Sequence, residues 1–151
     1  AEICSLTNRH FKPLGASGYA LGVIAALAKL ASRTVRMRVD DGSAVEQAMV
    51  FLSVCNSRFT GGSMMMAPSA DTGDGLADLV VCGHMNRMTL LTTFPKIFSG
   101  LHVNHSAIRA SRAKSLEFFE NEPIDLMIDG EVVRHAPRRI DVQPAALNVY
   151  V

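Results

Sequence analysis

Most of the chain shows the two-residue hydrophobic period of β-strands. In TVRMRVDDG, residues 34–42, Val35, Met37 and Val39 alternate with arginines before an Asp-Gly turn. This alternation predicts a strand with one buried face. The apolar run EQAMVFLSVCN, residues 46–56, predicts a second and more thoroughly buried strand. We expect the two strands to form a hairpin.

Further strands are predicted in the second half of the chain. The run ADLVVCG, residues 77–83, is apolar and has the length of a buried strand. From residue 108 onward short segments follow in quick succession, separated by Gly, Pro and Asn: IRASR, SLEFFE, IDLMID, EVV, RRIDVQ and LNVYV. This spacing is typical of a β-sandwich or barrel.

Two segments have helical character instead. Residues 17–31, SGYALGVIAALAKLA, are rich in Ala and Leu and begin with a good capping residue. In residues 86–100 the apolar positions recur at helical spacing between a capping Asn86 and Gly100, and Pro95 predicts a break into two short pieces. The sequence therefore predicts a mainly β fold, an antiparallel β-sandwich with two helical segments.

Size and composition are those of one globular domain. The 151 residues are 48% hydrophobic and carry a net charge of +1 with both signs interspersed, so nothing predicts a nucleic-acid partner. No apolar run reaches the roughly 18 residues that a membrane span needs. Cys4, Cys55 and Cys82 are an odd set without metal-ligand spacing, which predicts buried free thiols in a reducing, cytoplasmic compartment.

The loop that enters the 77–83 strand contains three aspartates, Asp71, Asp74 and Asp78, in the sequence ADTGDGLAD. Short acidic loops rich in Gly can wrap a hard cation with carboxylate and carbonyl oxygens, although the spacing is not that of an EF-hand. The spacing alone favours a solvated turn in which aspartate side chains accept backbone hydrogen bonds. Both interpretations stay open at this point.

Three other segments are weaker candidates. The 61–63 loop, Gly-Gly-Ser, could bind a phosphate through its amides, but without a following lysine a tight turn is the better interpretation. The three methionines 64–66 could line an apolar pocket, although methionines more often fill a core. His102 and His105 have an H-x-x-H spacing without a nearby carboxylate, so a surface loop is expected.

The segment PIDLMIDGEVV predicts a β-hairpin with a candidate base. Asp129-Gly130 is a frequent turn dipeptide, and it would join a strand at 124–129 to one at 131–134. Glu131, a carboxylate at a strand end beside a second acid, could accept a proton from a hydroxyl. From the residues alone an ordinary hairpin turn is favoured.

Four segments in one order carry a family resemblance: NSRFTGGSMMMAPSADTGDGLADLVV, LLTTFPKIFSGLHVNHSAIRASRAKSLEF, PIDLMIDGEVV and IDVQPAALNVYV. They contain N-x-x-x-x-G-G-x-M-x-x-A-P-x-A, then D-G-L-x-D, then D-G-E, which is specific as a set. From about Leu14 to its end, the chain resembles the C-terminal part of bacterial lipid kinases of the diacylglycerol kinase catalytic family, which is related to sphingosine and ceramide kinases. Ser63 departs from this family, which has a third glycine there.

The resemblance implies a two-domain enzyme, of which residues 1–151 are the C-terminal β-sandwich domain. The N-terminal nucleotide-binding domain, with the family's Gly-Gly-Asp-Gly-Thr loop for ATP, is absent from this chain, and the start at Ala1 fits an excised fragment. The whole enzyme would transfer the γ-phosphate of ATP to a lipid hydroxyl, with Mg²⁺, at the inner face of the membrane. The expected partners are the lipid and the N-terminal domain, a homodimer is left open, and the fragment alone is expected to be inactive.

The resemblance also implies roles for single residues. Glu131 matches the proton acceptor for the lipid hydroxyl, and Asp129 is expected to support it. Asp74 matches an aspartate that binds a structural magnesium ion, and main-chain oxygens of Asp71 and Leu76 are expected to complete that site. Asp71 stands where bacterial relatives often have an apolar residue, which a carbonyl ligand tolerates.

Two other functions stay open. The chain could be a non-catalytic β-sandwich that binds a lipid or a protein partner. It could also be part of a kinase that acts on a soluble alcohol such as NAD. The apolar residues 64–66 favour a lipid over a soluble substrate.

Overall fold

A computed structural model describes residues 31–147. The strands in this range are β1 (Arg33–Val39), β2 (Val45–Met49), β3 (Phe51–Cys55), β4 (Ala77–Cys82), β5 (Ile108–Ala113), β6 (Ser115–Phe118), β7 (Ile124–Ile128), β8 (Glu131–His135) and β9 (Arg139–Asp141). Between β4 and β5, helix α1 (Arg87–Thr93) is followed by 3₁₀ helices at Phe94–Ser99 and Leu101–Asn104. None of the helices in this range is long and apolar enough to cross a membrane.

The strands form two antiparallel sheets and a separate hairpin. One sheet has the strand order β2-β1-β6-β9, the other has the order β3-β4-β5, and β7 pairs with β8. Side chains of both sheets meet in one buried cluster, in which Leu79 and Val81 of β4 lie with Met37 of β1 and Leu116 of β6. The predicted β-sandwich is therefore confirmed.

Strand β4 is the centre of the domain because both of its faces are buried. Successive side chains of a strand point to opposite sides. Leu79 and Val81 face the other sheet, whereas Val80 and Cys82 pack with Leu90 of α1. All six residues of β4 are buried. Burial on both faces explains why its sequence is a continuous apolar run instead of an alternating one.

The helical layer has the boundaries that the sequence predicted. The side chain of Asn86 accepts a hydrogen bond from Thr89 N at the start of α1. Pro95 lies at the start of the next 3₁₀ helix, where its missing N–H leaves no partner unsatisfied. Gly100 ends that helix with φ 72°, a left-handed conformation that favours glycine. The break at Pro95 is confirmed, whereas the predicted helical segment 17–31 lies outside the described residues.

The prediction of a single buried strand over residues 46–56 is wrong. The segment forms β2, which pairs with β1, and β3, which pairs with β4 in the other sheet. Between them, Val50 N donates a hydrogen bond to Cys82 O, so the chain changes sheets at this residue. Because β2 lies at the edge of its sheet, Met49 is its only buried residue. The predicted hairpin of β1 with the following strand is confirmed.

Two of the three cysteines lie in the described residues, and both are free. Cys82 is buried and Cys55 is half-buried, and burial raises the pKa of both thiols. A raised pKa leaves little thiolate, so these are structural and not reactive cysteines. Cys4 and most of the predicted strand 147–151 lie outside the described residues.

Candidate functional site

The β7–β8 hairpin places Glu131 beside a tight turn. Ile128 and Glu131 are paired across the end of the hairpin, with Asp129 and Gly130 as the loop between them. Both loop residues have positive φ, 48° and 88°, as a type I′ turn requires. A Cβ atom at Gly130 would meet nothing within 4 Å, so conformation and not space requires the glycine. The predicted hairpin is confirmed.

The hairpin is exposed on both faces. Met127 and Ile128 have 51% and 55% of their surfaces exposed, and Val132 and Val133 are exposed as well. In the described part of the chain no other strand pairs with the hairpin. Glu131 is exposed and takes part in none of the ion pairs found there. The domain therefore presents this carboxylate on an apolar surface that its described residues leave uncovered.

The loop before β4 consists of two consecutive aspartate turns. Asp71 Oδ1 accepts a 2.9 Å hydrogen bond from Gly73 N, and Asp74 Oδ1 accepts a 2.8 Å hydrogen bond from Leu76 N. Asp74 N donates in turn to Asp71 O over 3.4 Å. These are the side-chain turns expected of an acidic loop. They use one oxygen of each carboxylate.

Arg112 of β5 connects this loop to the sheet. Its Nη1 lies 3.6 Å from Asp74 Oδ2 and its Nε lies 3.7 Å from Asp78 Oδ1. Its Nη2 donates a 2.7 Å hydrogen bond to Ser69 O. Strand register produces the contact, because Asp78 of β4 lies directly opposite Arg112. The structure thus brings Asp74 and Asp78 to one guanidinium group.

Asp78 is the buried acid of this group, with 2% of its surface exposed. Ser69 Oγ donates a 2.8 Å hydrogen bond to Asp78 Oδ1. Asp78 Oδ2 has no hydrogen-bond partner, although buried polar atoms are normally paired. A buried carboxylate oxygen without a protein partner favours an ordered water or a cation beside it.

This loop contains oxygen donors of the type that hard cations such as Mg²⁺ prefer, although Arg112 already faces Asp74 Oδ2. Between residues 31 and 147 no group of three or more His, Cys, Asp or Glu side chains could hold a metal ion. A cation here would therefore depend on main-chain oxygens and water beside one carboxylate. Mg²⁺ usually keeps several water ligands and takes only one or two carboxylates. The expected set has one carboxylate, that of Asp74, and two main-chain oxygens, those of Asp71 and Leu76. It would leave the remaining positions to water.

The candidate base and the acidic loop are not joined by direct contacts. Among the hydrogen bonds and ion pairs of the described residues, none links Glu131 or Asp129 to residues 71–78. Sequence reasoning missed Arg112 and Ser69 as partners of the acidic loop. The sequence shows Arg112 only as an arginine in a predicted strand. That it lies opposite Asp78 depends on the register of β4 against β5, which the sequence alone does not give.

The 61–63 loop is a tight turn, as the sequence favoured. Thr60 and Met64 exchange backbone hydrogen bonds of 2.9 and 3.2 Å across it. Gly61 has φ 57°, and a Cβ atom there would lie 2.8 Å from Met64 Cε. All three methionines at 64–66 are half-buried, and Met66 packs against the core beside β4. Turn formation and core packing account for both segments.

The expectation of a surface loop at His102 is wrong. His102 is buried in the second 3₁₀ helix, with its Nε2 3.1 Å from Met66 O. Burial lowers the pKa of this imidazole, and its Nδ1 has no hydrogen-bond partner. His105 Nδ1 accepts a 3.1 Å hydrogen bond from Ala107 N. The two histidines therefore have separate local contacts and do not form a metal-binding pair.

The chain is similar to known proteins over most of its length. The family model of the YegS C-terminal NAD kinase beta sandwich-like domain matches residues 1–151. A diacylglycerol kinase of Mycobacterium tuberculosis (strain H37Rv) is 32% identical over 142 residues, which cover 94% of this chain and 46% of that protein. A protein of Stenotrophomonas maltophilia (strain K279a) named "Probable lipid kinase YegS-like" is 30% identical over 142 residues, covering 93% and 45%. The chain spans about half the length of the curated relatives that it matches.

Solved structures share the fold. A protein of Bacillus anthracis (strain Sterne), assigned as a diacylglycerol kinase, superposes with a TM-score of 0.66 at 22% identity, over 93% of this chain and 46% of that one. A further structure with the same assignment and source gives a TM-score of 0.64 at 21% identity, over 83% and 41%. At such identities the likeness shows a common fold and nothing about the reaction.

Proposed function

Because the chain belongs to the family of YegS C-terminal NAD kinase beta sandwich-like domains, we propose that it is the lipid-side half of an ATP-dependent kinase. The substrate would be a lipid hydroxyl such as that of diacylglycerol. The named relatives are a diacylglycerol kinase and a YegS-like lipid kinase, each about twice as long as this chain. The observation that carries the proposal is the placement of Glu131 at the start of β8, on the tight turn of an uncovered hairpin.

Glu131 is the proposed proton acceptor. As the lipid oxygen bonds to the γ-phosphorus of ATP, the bond from that phosphorus to the bridging oxygen breaks and ADP leaves. The hydroxyl proton must go to a base within hydrogen-bond reach, which a carboxylate at the hairpin tip can provide. Asp129 supports Glu131 by forming the left-handed turn that fixes where β8 begins.

The apolar surface around Glu131 supports a site that a second domain completes. Met127 and Ile128 are more than half exposed beside the proposed base. Exposed apolar side chains that lie together mark a contact surface. An upstream nucleotide-binding domain that covers the hairpin would exclude water from the reacting hydroxyl and bring ATP to it. Residues 1–151 would then line one side of a cleft between the two domains.

Asp74, with main-chain oxygens of Asp71 and Leu76, would hold Mg²⁺ in this enzyme. The metal would supply positive charge and rigidity to the acidic loop. The protein contributes the orientation of Asp74, because Leu76 N holds its Oδ1 and Arg112 faces its Oδ2. Arg112 also faces buried Asp78 and so fixes the acidic loop against β5.

The proposal is tested with the full-length protein, Mg·ATP labelled at the γ-phosphate and three acceptors: diacylglycerol, sphingosine and NAD. We expect label to enter a lipid and not NAD, and we expect no product from residues 1–151 alone. Transfer to NAD would instead assign a soluble substrate. A folded full-length protein that labels no acceptor would favour a non-catalytic binding module.

A further inference from the structure

The helical layer beside the β3-β4-β5 sheet exposes several apolar side chains. Met88 of α1 is 70% exposed, and Phe98 and Leu101 of the 3₁₀ helices are 49% and 56% exposed. Leu90 and Ile97 of the same helices are buried, so the layer is apolar towards the core and towards its outer side as well. A surface helix normally has a polar outer face. Exposed apolar residues that are close together in a fold mark a contact site, and these three lie on consecutive helices of one layer.

The same part of the chain is strongly basic. Residues 79–116 contain five lysines and arginines and no Asp or Glu, although the whole chain has 15 basic and 14 acidic residues. The acidic loop neutralises one of the five, Arg112. Arg87 at the start of α1 and Lys96 in the first 3₁₀ helix are exposed, and neither is in an ion pair within residues 31–147. The exposed apolar residues are thus accompanied by positive charge that the described residues do not neutralise.

We propose that Met88, Phe98, Leu101, Arg87 and Lys96 form the face with which the protein docks on a bilayer that contains anionic phospholipids. The apolar side chains would enter the boundary between headgroups and acyl chains, and the two cations would lie at the headgroup phosphates. We call this surface the docking face. The inference rests on the proposed function, since a lipid kinase must reach its substrate in a membrane.

Charge distinguishes the docking face from the exposed apolar surface of the β7–β8 hairpin. The β7–β8 hairpin carries Asp125, Asp129 and Glu131, and its arginine, Arg134, lies 3.5 Å from Asp125. An anionic membrane would repel this acidic surface and attract the docking face. The hairpin therefore suits a cleft between domains, and the helical layer suits the lipid surface.

The test uses full-length protein without nucleotide and sucrose-loaded vesicles, made of phosphatidylcholine alone or with phosphatidylglycerol as a minor component. The first variant combines Arg87→Gln with Lys96→Gln, and binding to anionic vesicles should fall about fivefold for each charge removed. Its remaining binding should depend less on salt than that of the parent. The second combines Met88→Ser with Leu101→Ser and should reduce binding about tenfold or more at every salt concentration.

A control pair lies on β1 and β2 of the other sheet. Val45→Ser combined with Arg33→Gln removes one exposed apolar residue and one exposed charge from β1 and β2. This variant should bind anionic vesicles as the parent does. All substituted residues are exposed, so melting curves should stay close to that of the parent.

The docking face would be overturned if both face variants bind anionic vesicles as the parent does. It would also be overturned if the control pair loses as much binding as the face variants, or if the parent binds pure phosphatidylcholine vesicles as well as anionic ones. A second assay separates this outcome from failure of the kinase proposal. With a short-chain diacylglycerol that is monomeric in solution, the face variants should keep the parent kcat/KM, because no membrane is involved. A parent that binds anionic vesicles through this face but phosphorylates no lipid would refute the kinase and leave the docking face supported.

Discussion

Strand β4 and strand β7 of the β7–β8 hairpin have similar sequences, but β4 is buried and the hairpin is largely exposed. ADLVVC and IDLMI are both apolar with one aspartate at the second position. Every residue of β4 is buried, because a sheet covers one face and the helical layer covers the other. The hairpin has no such layer among the described residues, so its apolar side chains stay exposed or half-buried.

This difference in burial also distinguishes the two parts of the candidate site, the acidic loop and Glu131. The acidic loop lies at the entry of β4, and its aspartates have partners within this domain: backbone amides, Ser69 and Arg112. Glu131 has a fixed position in the turn but no side-chain partner that the structure describes. We infer that the domain organises its proposed metal loop through contacts within residues 31–147, whereas the proposed base has no side-chain partner among those residues.

The largest expected effect compares one core residue with one hairpin residue. Leu79→Ala should lower the free energy of unfolding by about 2–5 kcal/mol, because it leaves a cavity between the two sheets. Val133→Ala should cost less than about 1 kcal/mol, because that side chain is partly in water already. Urea unfolding of both full-length variants measures the difference. Equal losses would mean that the hairpin is packed as tightly as β4.

The second prediction concerns the metal loop. A ligand that binds only the folded state stabilises it by about 2.7 kcal/mol at a hundred times its dissociation constant. Asp74→Asn should abolish the increase in melting temperature that Mg²⁺ gives the full-length protein. Asp71→Asn is the matched control and should keep this increase, because only its main chain is expected to bind the metal. Equal Mg²⁺ responses in Asp74→Asn and the parent would leave the loop as a solvated turn.

A smaller effect on the pH dependence of stability is expected from His102. Its imidazole is buried, whereas the histidine of the hairpin is exposed. Burial lowers its pKa in the folded state, so the unfolded chain binds the proton more tightly. The stability from the neutral ring is complete above the ordinary pKa of about 6.5 and is lost as the pH falls below it, by at most about 1.4 kcal/mol per pH unit. His102→Gln should flatten this part of the stability profile.

The matched control for His102 is His135→Gln in the exposed strand β8. It removes an exposed imidazole, and we expect His102→Gln to flatten the pH profile of urea unfolding beyond any change in this control. A profile that is unchanged in His102→Gln, or equally flattened in both variants, would contradict a special role of the buried imidazole.

Local signals explain which parts of the fold could be predicted. The Asp-Gly turn before Glu131, the cap at Asn86, the break at Pro95 and the stop at Gly100 each depend on a few neighbouring residues. Each was predicted at the correct position, because turn and capping preferences act within one turn of the chain.

Contacts between distant residues explain which parts could not be predicted. The apolar run 46–56 contains no turn residue at Val50, and the division between sheets depends on a hydrogen bond to Cys82. The contact of Arg112 with Asp78 depends on the register of two strands. Buried His102 has its Nε2 within hydrogen-bond distance of Met66 O, in a loop that is remote in sequence. In each case the deciding partner is remote in sequence.

The proposed base is tested most directly by Glu131→Gln in the full-length protein. The amide keeps the shape of the side chain but cannot accept the hydroxyl proton. We expect kcat for diacylglycerol phosphorylation to fall by about two orders of magnitude or more, with KM and the melting curve little changed. Asp129→Asn should cost less, because the proposed role of Asp129 is to support the turn.

Glu122→Gln provides the matched control for this measurement, because Glu122 is also exposed but precedes β7 and lies outside the hairpin turn. Steady-state phosphorylation of the lipid by parent, Glu131→Gln and Glu122→Gln is compared under identical conditions. A loss of kcat confined to Glu131→Gln would support the proposed proton acceptor. A parent-like kcat in Glu131→Gln would contradict it, and Glu131 would then be an ordinary residue of a hairpin turn.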